Sequence, residues 1–329
     1  MASTIQYRRS ALWGRTAGVG CMLAVLWAAA VCGQEAKRAK NAKRERAQAD
    51  NARRYPPDMP GAKIEVYKEV GDVKLNMYVF QPAGHQPTDR RPAIVFFFGG
   101  GWSSGTPAQF QHQCEHLAQR GVVAMAADYR VATRHQVKAI DCVRDAKSAI
   151  RWVRRESERL GVDPQRIAAG GGSAGGHLAA CTGVIDGLDE PDEDLAISSR
   201  PSALVLFNPA LVLAEIEGAK PVDADRIAQL SQRMGTEPRA LSPYHHVRSG
   251  APPAIIFHGK ADSTVPFATA EAFTAAMTKA GSRCELVGYD GQQHGFFNYG
   301  RSGNVYYQQT LTAMDEFLTS LDYLSPTRR

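Results

Sequence analysis

Hydrophobic residues follow two different patterns along the chain. They alternate with polar residues at positions 64–67 and again at 74–79, on either side of Gly71-Asp72. A period of two across a glycine-containing turn is typical of a β-hairpin. Further along, short unbroken apolar runs take over, the first at residues 93–98, and such runs indicate strands that are buried on both faces.

The later apolar runs alternate with segments of helical period. They predict strands at 122–127, 167–170, 203–207, 254–257 and 284–289, and helices at 108–119, 140–160, from 174, at 267–280 and at 306–321. An antiparallel start followed by repeated strand–helix units predicts an α/β domain: a mostly parallel eight-stranded sheet with helices on both faces. Residues 212–246 interrupt this series between two core strands, and we predict a small lid there.

The first 61 residues do not belong to this pattern. Arg8, Arg9 and Arg15 precede an apolar stretch that is too short to span a bilayer, so residues 1–33 are predicted to be a cleaved signal peptide. An uncleaved or lipid anchor is the alternative. Residues 34–61 are basic and polar, which predicts a disordered linker before a domain at 62–325. The chain is therefore expected to be exported, periplasmic or secreted, without stable membrane insertion of the mature part.

The charge distribution argues against a nucleic-acid partner. The formal net charge is +6, but residues 1–54 hold 11 Lys and Arg against three acids, which leaves 28 basic and 30 acidic residues in the remainder. The predicted domain is thus slightly acidic. Four cysteines lie beyond the leader without a paired spacing, so we expect mostly buried free thiols.

A Gly-Gly-Ser-Ala-Gly motif at residues 171–175 lies directly between a predicted strand and a predicted helix. This is the context of a nucleophile elbow, in which a serine on a strained turn presents its hydroxyl at the edge of the sheet. The tight turn requires small neighbours, and Ser173 is flanked by glycine and alanine. We therefore predict that Ser173 is a nucleophile.

Three consecutive glycines, residues 99–101, follow the predicted strand at 93–98. Glycines at this place let the backbone approach a ligand closely and offer N–H donors to it. Their spacing is not that of a dinucleotide-binding loop, and no acidic residue is placed to bind a ribose. The sequence accordingly predicts no cofactor.

Asp262 and His294 each follow one of the last two predicted strands. The chain order Ser173, Asp262, His294 is the order of nucleophile, acid and base expected for an elbow of this kind. Other acids fit less well, because residues 186–194 form an acidic loop and Asp290 is only four positions before His294. These three residues are therefore predicted to form a catalytic triad.

Three other histidines lie near these motifs. His112, Glu115 and His116 have the H-x-x-E-H spacing of some zinc peptidases. Their place after a glycine loop in a strand–helix series favours a solvated amphipathic helix instead, and we predict no metal site. His177 is one turn after Ser173, too close to act as its base, so it is expected to pack or hydrogen-bond beneath the elbow.

Together these motifs resemble the α/β-hydrolase esterases of the hormone-sensitive-lipase and bacterial feruloyl and acetylxylan esterase type. The resemblance covers about residues 63–321 and extends to Asp-Tyr-Arg at 128–130 and to the segment 161–167. It implies the α/β-hydrolase fold and the same triad of Ser173, Asp262 and His294.

The resemblance also implies an oxyanion hole made by the N–H groups of Gly100, Gly101 and Ala174. The chain departs from the family at Phe98, where a histidine usually precedes the glycines and orients their loop. A phenylalanine can only pack there, which leaves open how rigid the loop is and which of the glycines donate.

We predict a serine carboxylic ester hydrolase that forms an acyl-enzyme and acts on a small-molecule or polysaccharide ester. Export and a modest lid favour short-chain acyl or feruloyl esters of carbohydrates. Trp102, Phe297 and Tyr299 are the predicted substrate-pocket residues. A serine peptidase, an aryl formamidase or a catalytically silent binding protein of the same fold are the alternatives. The sequence carries no prediction of oligomeric state.

Overall fold

Eight strands form one sheet in the structure, a computed structural model that describes residues 54–216 and 224–326. The strands are β1 (Lys63–Val70), β2 (Val73–Phe80), β3 (Arg91–Phe97), β4 (Val123–Ala127), β5 (Val162–Gly172), β6 (Ala203–Phe207), β7 (Ala254–Gly259) and β8 (Cys284–Tyr289). Their order across the sheet is β1-β2-β4-β3-β5-β6-β7-β8, and β2 runs antiparallel to both of its neighbours. The predicted α/β fold with an open, mostly parallel eight-stranded sheet is confirmed.

Helices cover both faces of this sheet. They are α1 (Gln111–Gln119), α2 (Ala132–His135), α3 (Ala139–Arg155), α4 (Ala174–Val184), α5 (Ala224–Met234), α6 (Phe267–Lys279) and α7 (Val305–Thr319). Short 3-10 turns occur at Pro107–Phe110, Pro238–Leu241, Pro243–His246 and Ser302–Asn304. Helices α1 and α7 pack on one face, and α3, α4 and α6 pack on the other.

Strand β3 illustrates why the central strands are continuous apolar runs. Ile94 and Phe96 pack in the cluster that contains α1 and α7, whereas Val95 and Phe97 pack in the cluster on the opposite face. All four side chains are fully buried. Since successive side chains of a strand point to opposite faces, a strand covered on both sides has no place for a polar residue.

Residues 54–61 belong to the folded domain, which corrects the predicted linker of residues 34–61. Met59 is 4% exposed and packs in the same cluster as Phe80. The Tyr55 hydroxyl donates to a carboxylate oxygen of Asp128 at 2.7 Å. Composition missed this because the anchors are single large residues among prolines and charges. The predicted signal peptide at 1–33 and residues 34–53 lie outside the described residues.

A buried ion cluster attaches the acidic loop after α4 to the body of the domain. Asp145 of α3 is fully buried, and its Oδ1 lies 2.7 Å from Nζ of Lys68 and 2.7 Å from Nη2 of Arg130. Glu190 of the acidic loop approaches the same Lys68 at 2.5 Å. Charges that are removed from water need such partners, and here β1, α3 and the loop supply them to one another.

The four cysteines of the domain are free thiols, as expected from the sequence. Cys114, Cys142 and Cys181 are buried, and burial raises the pKa of each thiol well above its ordinary value. Cys284 is half-buried, and burial raises its pKa to about 11. These thiols occupy apolar positions and behave as small hydrophobic side chains.

The insertion at 212–246 leaves the sheet between β6 and β7, where the sequence predicts a lid. Its described part consists of α5 and two 3-10 turns. Across the described ranges, the structure contains no helix with the length and apolar character needed to cross a membrane.

Candidate active site

Ser173 lies on a tight turn between β5 and α4, at the carboxyl edge of the sheet. Its φ of 55° and ψ of −118° strain a residue that carries a side chain. The turn can close because its neighbours are small: a Cβ on Gly175 would lie 2.0 Å from the carbonyl oxygen of Phe97. The strand–turn–helix geometry predicted around Ser173 is present.

Asp262 and His294 lie beside Ser173. Nε2 of His294 is 2.9 Å from Oγ of Ser173, and Nδ1 is 2.7 Å from Oδ2 of Asp262. A carboxylate can only accept, so Nδ1–H donates to Asp262 and Nε2 is left to accept the serine proton. The structure thus brings together all three residues that the sequence selects for a triad.

The carboxylate of Asp262 is fixed from several sides. Its Oδ1 accepts hydrogen bonds from the N–H groups of Thr264 and Val265, both at 2.9 Å. His258 is fully buried next to it and donates from Nε2 to the carbonyl oxygen of Val265 at 2.9 Å. Burial lowers the pKa of His258, which favours the neutral form of this imidazole beside Asp262 and His294.

The glycine loop, residues 99–101, approaches Ser173 closely. A Cβ on Gly99 would lie 3.3 Å from the Cβ of Ser173. Gly100 and Gly101 have φ values of +125° and +60°, which favour glycine. The three glycines therefore let the backbone of this loop lie against the elbow.

The N–H groups of this loop differ in their partners. Gly99 donates to Oε1 of Gln109 at 2.6 Å. Within the described ranges, no recorded hydrogen bond engages the N–H of Gly100, Gly101 or Ala174. The N–H groups of Gly100 and Gly101 are thus available as donors, as is that of Ala174, the first of α4.

Tyr129 supports the glycine loop by contacting Phe98, which occupies the position where the family usually has a histidine. Its ring stacks on Phe98 with a centroid distance of 4.0 Å, and its hydroxyl donates to the carbonyl oxygen of Phe98 at 2.7 Å. Both side chains are fully buried. Phe98 thus packs, as expected, while the hydrogen bond that holds the loop comes from Tyr129.

Trp102 and His177 form a buried pair beneath the glycine loop. The indole N–H of Trp102 donates to Nδ1 of His177 at 3.1 Å, and His177 donates from Nε2 to the carbonyl oxygen of Leu241 at 2.7 Å. Burial lowers the pKa of His177 to about 4. Arg233 of α5 lies 5.1 Å from the indole centroid and donates to the carbonyl oxygen of Gly101. His177 therefore has the packing role that the sequence predicts.

Two further aromatic residues were predicted to line the substrate pocket, and the prediction is wrong for Phe297. Its side chain is fully buried, with ring centroids 5.8 Å from Phe110 and 4.6 Å from Phe207. An apolar ring beside a catalytic motif can pack inward, and this one fills the core under the elbow. Tyr299 is 37% exposed and stacks on His112 at 3.8 Å.

The histidines of the H-x-x-E-H pattern pair with different carboxylates. Nδ1 of His112 is 2.9 Å from Oε2 of Glu115, whereas Nε2 of His116 is 2.9 Å from Oδ2 of Asp315 on α7. Both pairs are partly exposed. The first lies within one turn of α1, and the second joins α1 to α7. In the part of the chain that the structure describes, no group of three or more His, Cys, Asp or Glu side chains could hold a metal ion.

Comparison with protein families identifies the chain. Residues 77–277, more than half of the chain, match the model of the BD-FAE family. The chain belongs to the BD-FAE family. Residues 235–323 also match the model of the dienelactone hydrolase family.

Curated relatives of this BD-FAE chain are esterases. "Probable isoprenylcysteine alpha-carbonyl methylesterase ICMEL1" of Oryza sativa subsp. japonica is 30% identical over 245 residues, 70% of this chain and 56% of the relative. Esterase LipC of Mycobacterium tuberculosis is 32% identical over 222 residues, 64% of this chain and 54% of the relative. The chain spans about half the length of the curated relatives it matches.

Solved structures match over nearly their whole length. The native structure of a thermophilic esterase, Est2 of the planctomycete Thermogutta terrifontis, is 60% identical, with a TM-score of 0.81 and coverage of 84% of this chain and 98% of that chain. The same esterase with butyrate bound is 60% identical, with a TM-score of 0.81 and coverage of 84% and 100%. Its sarin-phosphonylated form is 59% identical, with a TM-score of 0.80 and coverage of 83% and 100%.

Sequence reasoning missed several residues that hold this BD-FAE site together. Asn208, directly after β6, accepts the N–H of Gly295 with its Oδ1 at 3.0 Å. Gln109 and Asn298 bond to each other at 2.9 Å across 189 positions of the chain. Ordinary polar side chains in loops give no signal of such contacts. Asn208 alone offered a cue, because it is a polar residue at the end of a buried strand.

Proposed function

We propose that the chain is a serine carboxylester hydrolase in which Ser173 is the nucleophile, His294 the general base and Asp262 the orienting acid. The observation that carries this proposal is the unbroken hydrogen-bonded row from Ser173 through His294 to Asp262, with distances of 2.9 and 2.7 Å. The strained elbow and membership of a family whose relatives are esterases support it.

The reaction proceeds in two steps. Oγ of Ser173 attacks the ester carbonyl carbon while Nε2 of His294 takes the hydroxyl proton, and the imidazolium then gives that proton to the departing alcohol. Water attacks the resulting acyl-enzyme in the same way, which releases the carboxylic acid and restores Ser173. Asp262 remains ionised and stabilises the imidazolium in both steps.

The N–H groups of Gly100, Gly101 and Ala174 bind the oxygen that becomes negative in each tetrahedral intermediate. Two observations support this assignment: the loop lies against Ser173, and these donors have no other recorded partner within the described ranges. Donors that are fixed before the reaction stabilise the transition state by about 3 kcal/mol each.

The substrate is a short-chain ester, of a small molecule or of a carbohydrate that carries acetyl or feruloyl groups. The butyrate bound to Est2 of Thermogutta terrifontis supports a short acyl group. On the structural side, Arg233 joins helix α5 of the predicted lid to the glycine loop at Gly101 and Trp102. Tyr299 remains a candidate for contact with substrate, whereas Trp102 is buried against His177.

The decisive experiment replaces the nucleophile. Ser173→Ala should lower kcat for p-nitrophenyl acetate by about 10⁴-fold or more with the fold intact, because it removes the hydroxyl that contacts Nε2 of His294. The variant should also lose labelling by a fluorophosphonate. Ser282→Ala, on the turn before β8, is the matched control and should keep the wild-type rate. Full activity of Ser173→Ala would refute the assignment.

A substrate panel tests the acyl preference. It contains p-nitrophenyl acetate, butyrate and octanoate, acetylated xylan, methyl ferulate and a peptide anilide. We expect the highest kcat/KM on acetate or butyrate esters. A clear preference for octanoate contradicts the short-chain assignment, and cleavage of the anilide alone would make the enzyme a peptidase.

We also propose that residues 1–33 direct export and are then removed, so that the enzyme acts in the periplasm or outside the cell. The arginines before a short apolar stretch support this proposal. Cell fractionation followed by N-terminal sequencing should find the chain outside the cytoplasm, beginning near Gln34. An intact chain in the cytoplasm would contradict it.

A further inference from the structure

An amide bridge, made by the side chains of Gln109 and Asn298, connects the glycine loop to the loop that carries His294. The N–H of Gly99 donates to Oε1 of Gln109 at 2.6 Å, and Nε2 of Gln109 donates to Oδ1 of Asn298 at 2.9 Å. Nδ2 of Asn298 then donates to the carbonyl oxygen of Gly295 at 2.8 Å. Three consecutive hydrogen bonds therefore join the backbone beside the oxyanion donors to the backbone beside the base.

Only one orientation of the two side-chain amides satisfies all three bonds. The backbone N–H of Gly99 can only donate, so Gln109 must turn its oxygen towards it and its NH2 towards Asn298. The carbonyl of Gly295 can only accept, so Asn298 must turn its own NH2 towards it. Fixed backbone groups at both ends thus determine the bridge, and rotation of either amide breaks two bonds.

Each end of the bridge lies one residue from a group used in catalysis. Gly99 precedes Gly100, whose N–H is an oxyanion donor, and Gly295 follows His294. Gly295 is also held through its N–H by Oδ1 of Asn208 at 3.0 Å. The bridge is therefore placed to set the separation between the donors and the imidazole.

We propose that Gln109 and Asn298 are positioning residues for ester hydrolysis, which hold the oxyanion donors and His294 at a fixed separation. The inference rests on the proposed role of Ser173. Donors and base must act on two oxygens bonded to the same tetrahedral carbon, and a misplacement of about 1 Å costs about 10²-fold in rate. The bridge acts through two backbone loops, and its side chains take no part in the chemistry.

A double-mutant cycle measures this coupling. Gln109→Ala and Asn298→Ala should each lower kcat by about tenfold to hundredfold and leave KM within about twofold, since the loss is one of transition-state geometry. Either change interrupts the connection between the two loops, so the double variant should be no slower than the slower single variant.

Gln111 provides the matched control on the same segment. Its amide bonds to Oε1 of Glu115 at 2.8 Å and lies outside the bridge. Gln111→Ala should keep kcat within about twofold of wild type, and its small effect should multiply with that of Asn298→Ala. If the losses in kcat of Gln109→Ala and Asn298→Ala multiply in the double variant, the two side chains act independently and the bridge is contradicted.

Hydrogen–deuterium exchange tests the bridge without any reaction. Asn298→Ala should speed amide exchange in residues 98–104, and Gln109→Ala should speed it in residues 292–299. If each substitution changes exchange only in its own loop, or in neither loop, the inference is overturned. Absence of ester hydrolysis by the wild-type enzyme would instead refute the proposed function, and exchange would still decide on the bridge.

Discussion

Asp262 has both carboxylate oxygens engaged, which determines what its loss would do. One oxygen accepts the N–H groups of Thr264 and Val265, and the other faces His294 at 2.7 Å. Asp262→Asn should lower kcat by about 10³- to 10⁴-fold, because the imidazole loses the acceptor that selects its tautomer. Initial rates on p-nitrophenyl acetate measure the loss, and circular dichroism checks the fold.

Asp290 supplies the comparison for this substitution. It lies four residues before His294, and its side chain is 89% exposed and pairs with Lys260 at 2.8 Å. Asp290→Asn should change kcat by less than about twofold, since exposed ion pairs contribute little. Equal losses at Asp290 and Asp262 would contradict the assignment of the acid.

His177 makes stability depend on pH. Burial lowers its pKa in the folded state to about 4, below the ordinary value of 6.5. Between these values the unfolded chain binds a proton that the folded chain does not, so the contribution of neutral His177 is complete above pH 6.5 and is lost as the pH falls towards 4. The loss should reach about 3 kcal/mol at most.

Urea unfolding at several pH values tests this contribution. Wild type should lose stability relative to His177→Gln as the pH falls, because glutamine does not titrate. A difference between the two proteins that stays constant from pH 7 to pH 4 would rule out the effect.

The sequence predicts the three proposed triad residues but not the side chains that hold the loops around them. Ser173 is recognisable because its turn tolerates only small neighbours. Asp262 and His294 are recognisable because each follows a predicted strand, in the expected chain order after the serine. The hydroxyl of Tyr129 bonds to a carbonyl oxygen 31 positions away, and the amide of Gln109 bonds to that of Asn298 across 189 positions. Such contacts depend on how the loops fold and leave no local pattern in the sequence.

The geometry of the elbow depends on glycine at a position where a side chain would clash with the backbone. A Cβ on Gly175 would lie 2.0 Å from the carbonyl oxygen of Phe97, which belongs to a central strand and cannot move aside. Gly175→Ala should therefore destabilise the fold by about 3 kcal/mol or more. Chemical denaturation measures the free energy of unfolding of this variant.

Gly250→Ala is the control, because nothing lies within 4 Å of a Cβ at this position. It should cost only about 1 kcal/mol, through the positive φ of Gly250. Equal costs would show that the close approach is unimportant.

Elements were predictable where burial imposes a pattern and less so where it does not. All eight strands follow from apolar runs or alternation, yet β5 begins at Val162 and not near 167. Val162 is followed by Asp163, Pro164 and two further polar residues that resemble a loop, but Val162 pairs with Arg91 of β3. The one-turn helix α2 has no apolar face and gave no signal.

At the scale of the whole molecule, the ion cluster around Asp145 connects β1, α3 and the acidic loop. Asp145→Ala would leave Lys68 and Arg130 buried without their shared carboxylate, and we expect a loss of about 3–5 kcal/mol in the free energy of unfolding. Specific activity of the folded fraction should stay unchanged, since the cluster contacts none of the proposed catalytic residues.

Glu190 distinguishes this effect from a general loss of surface charge. Its side chain is 25% exposed, so water can replace it as a partner of Lys68. Glu190→Ala should cost about 1 kcal/mol or less, measured in the same urea titration. A cost equal to that of Asp145→Ala would mean that burial of the cluster is not what stabilises the fold.

The cysteines have a consequence for where the domain can mature. Thiols with raised pKa values and little access to solvent resist both oxidation and exchange, and the fold is complete without a covalent crosslink. We therefore expect the domain to reach the same native state under reducing and oxidising conditions, without a disulfide-forming step.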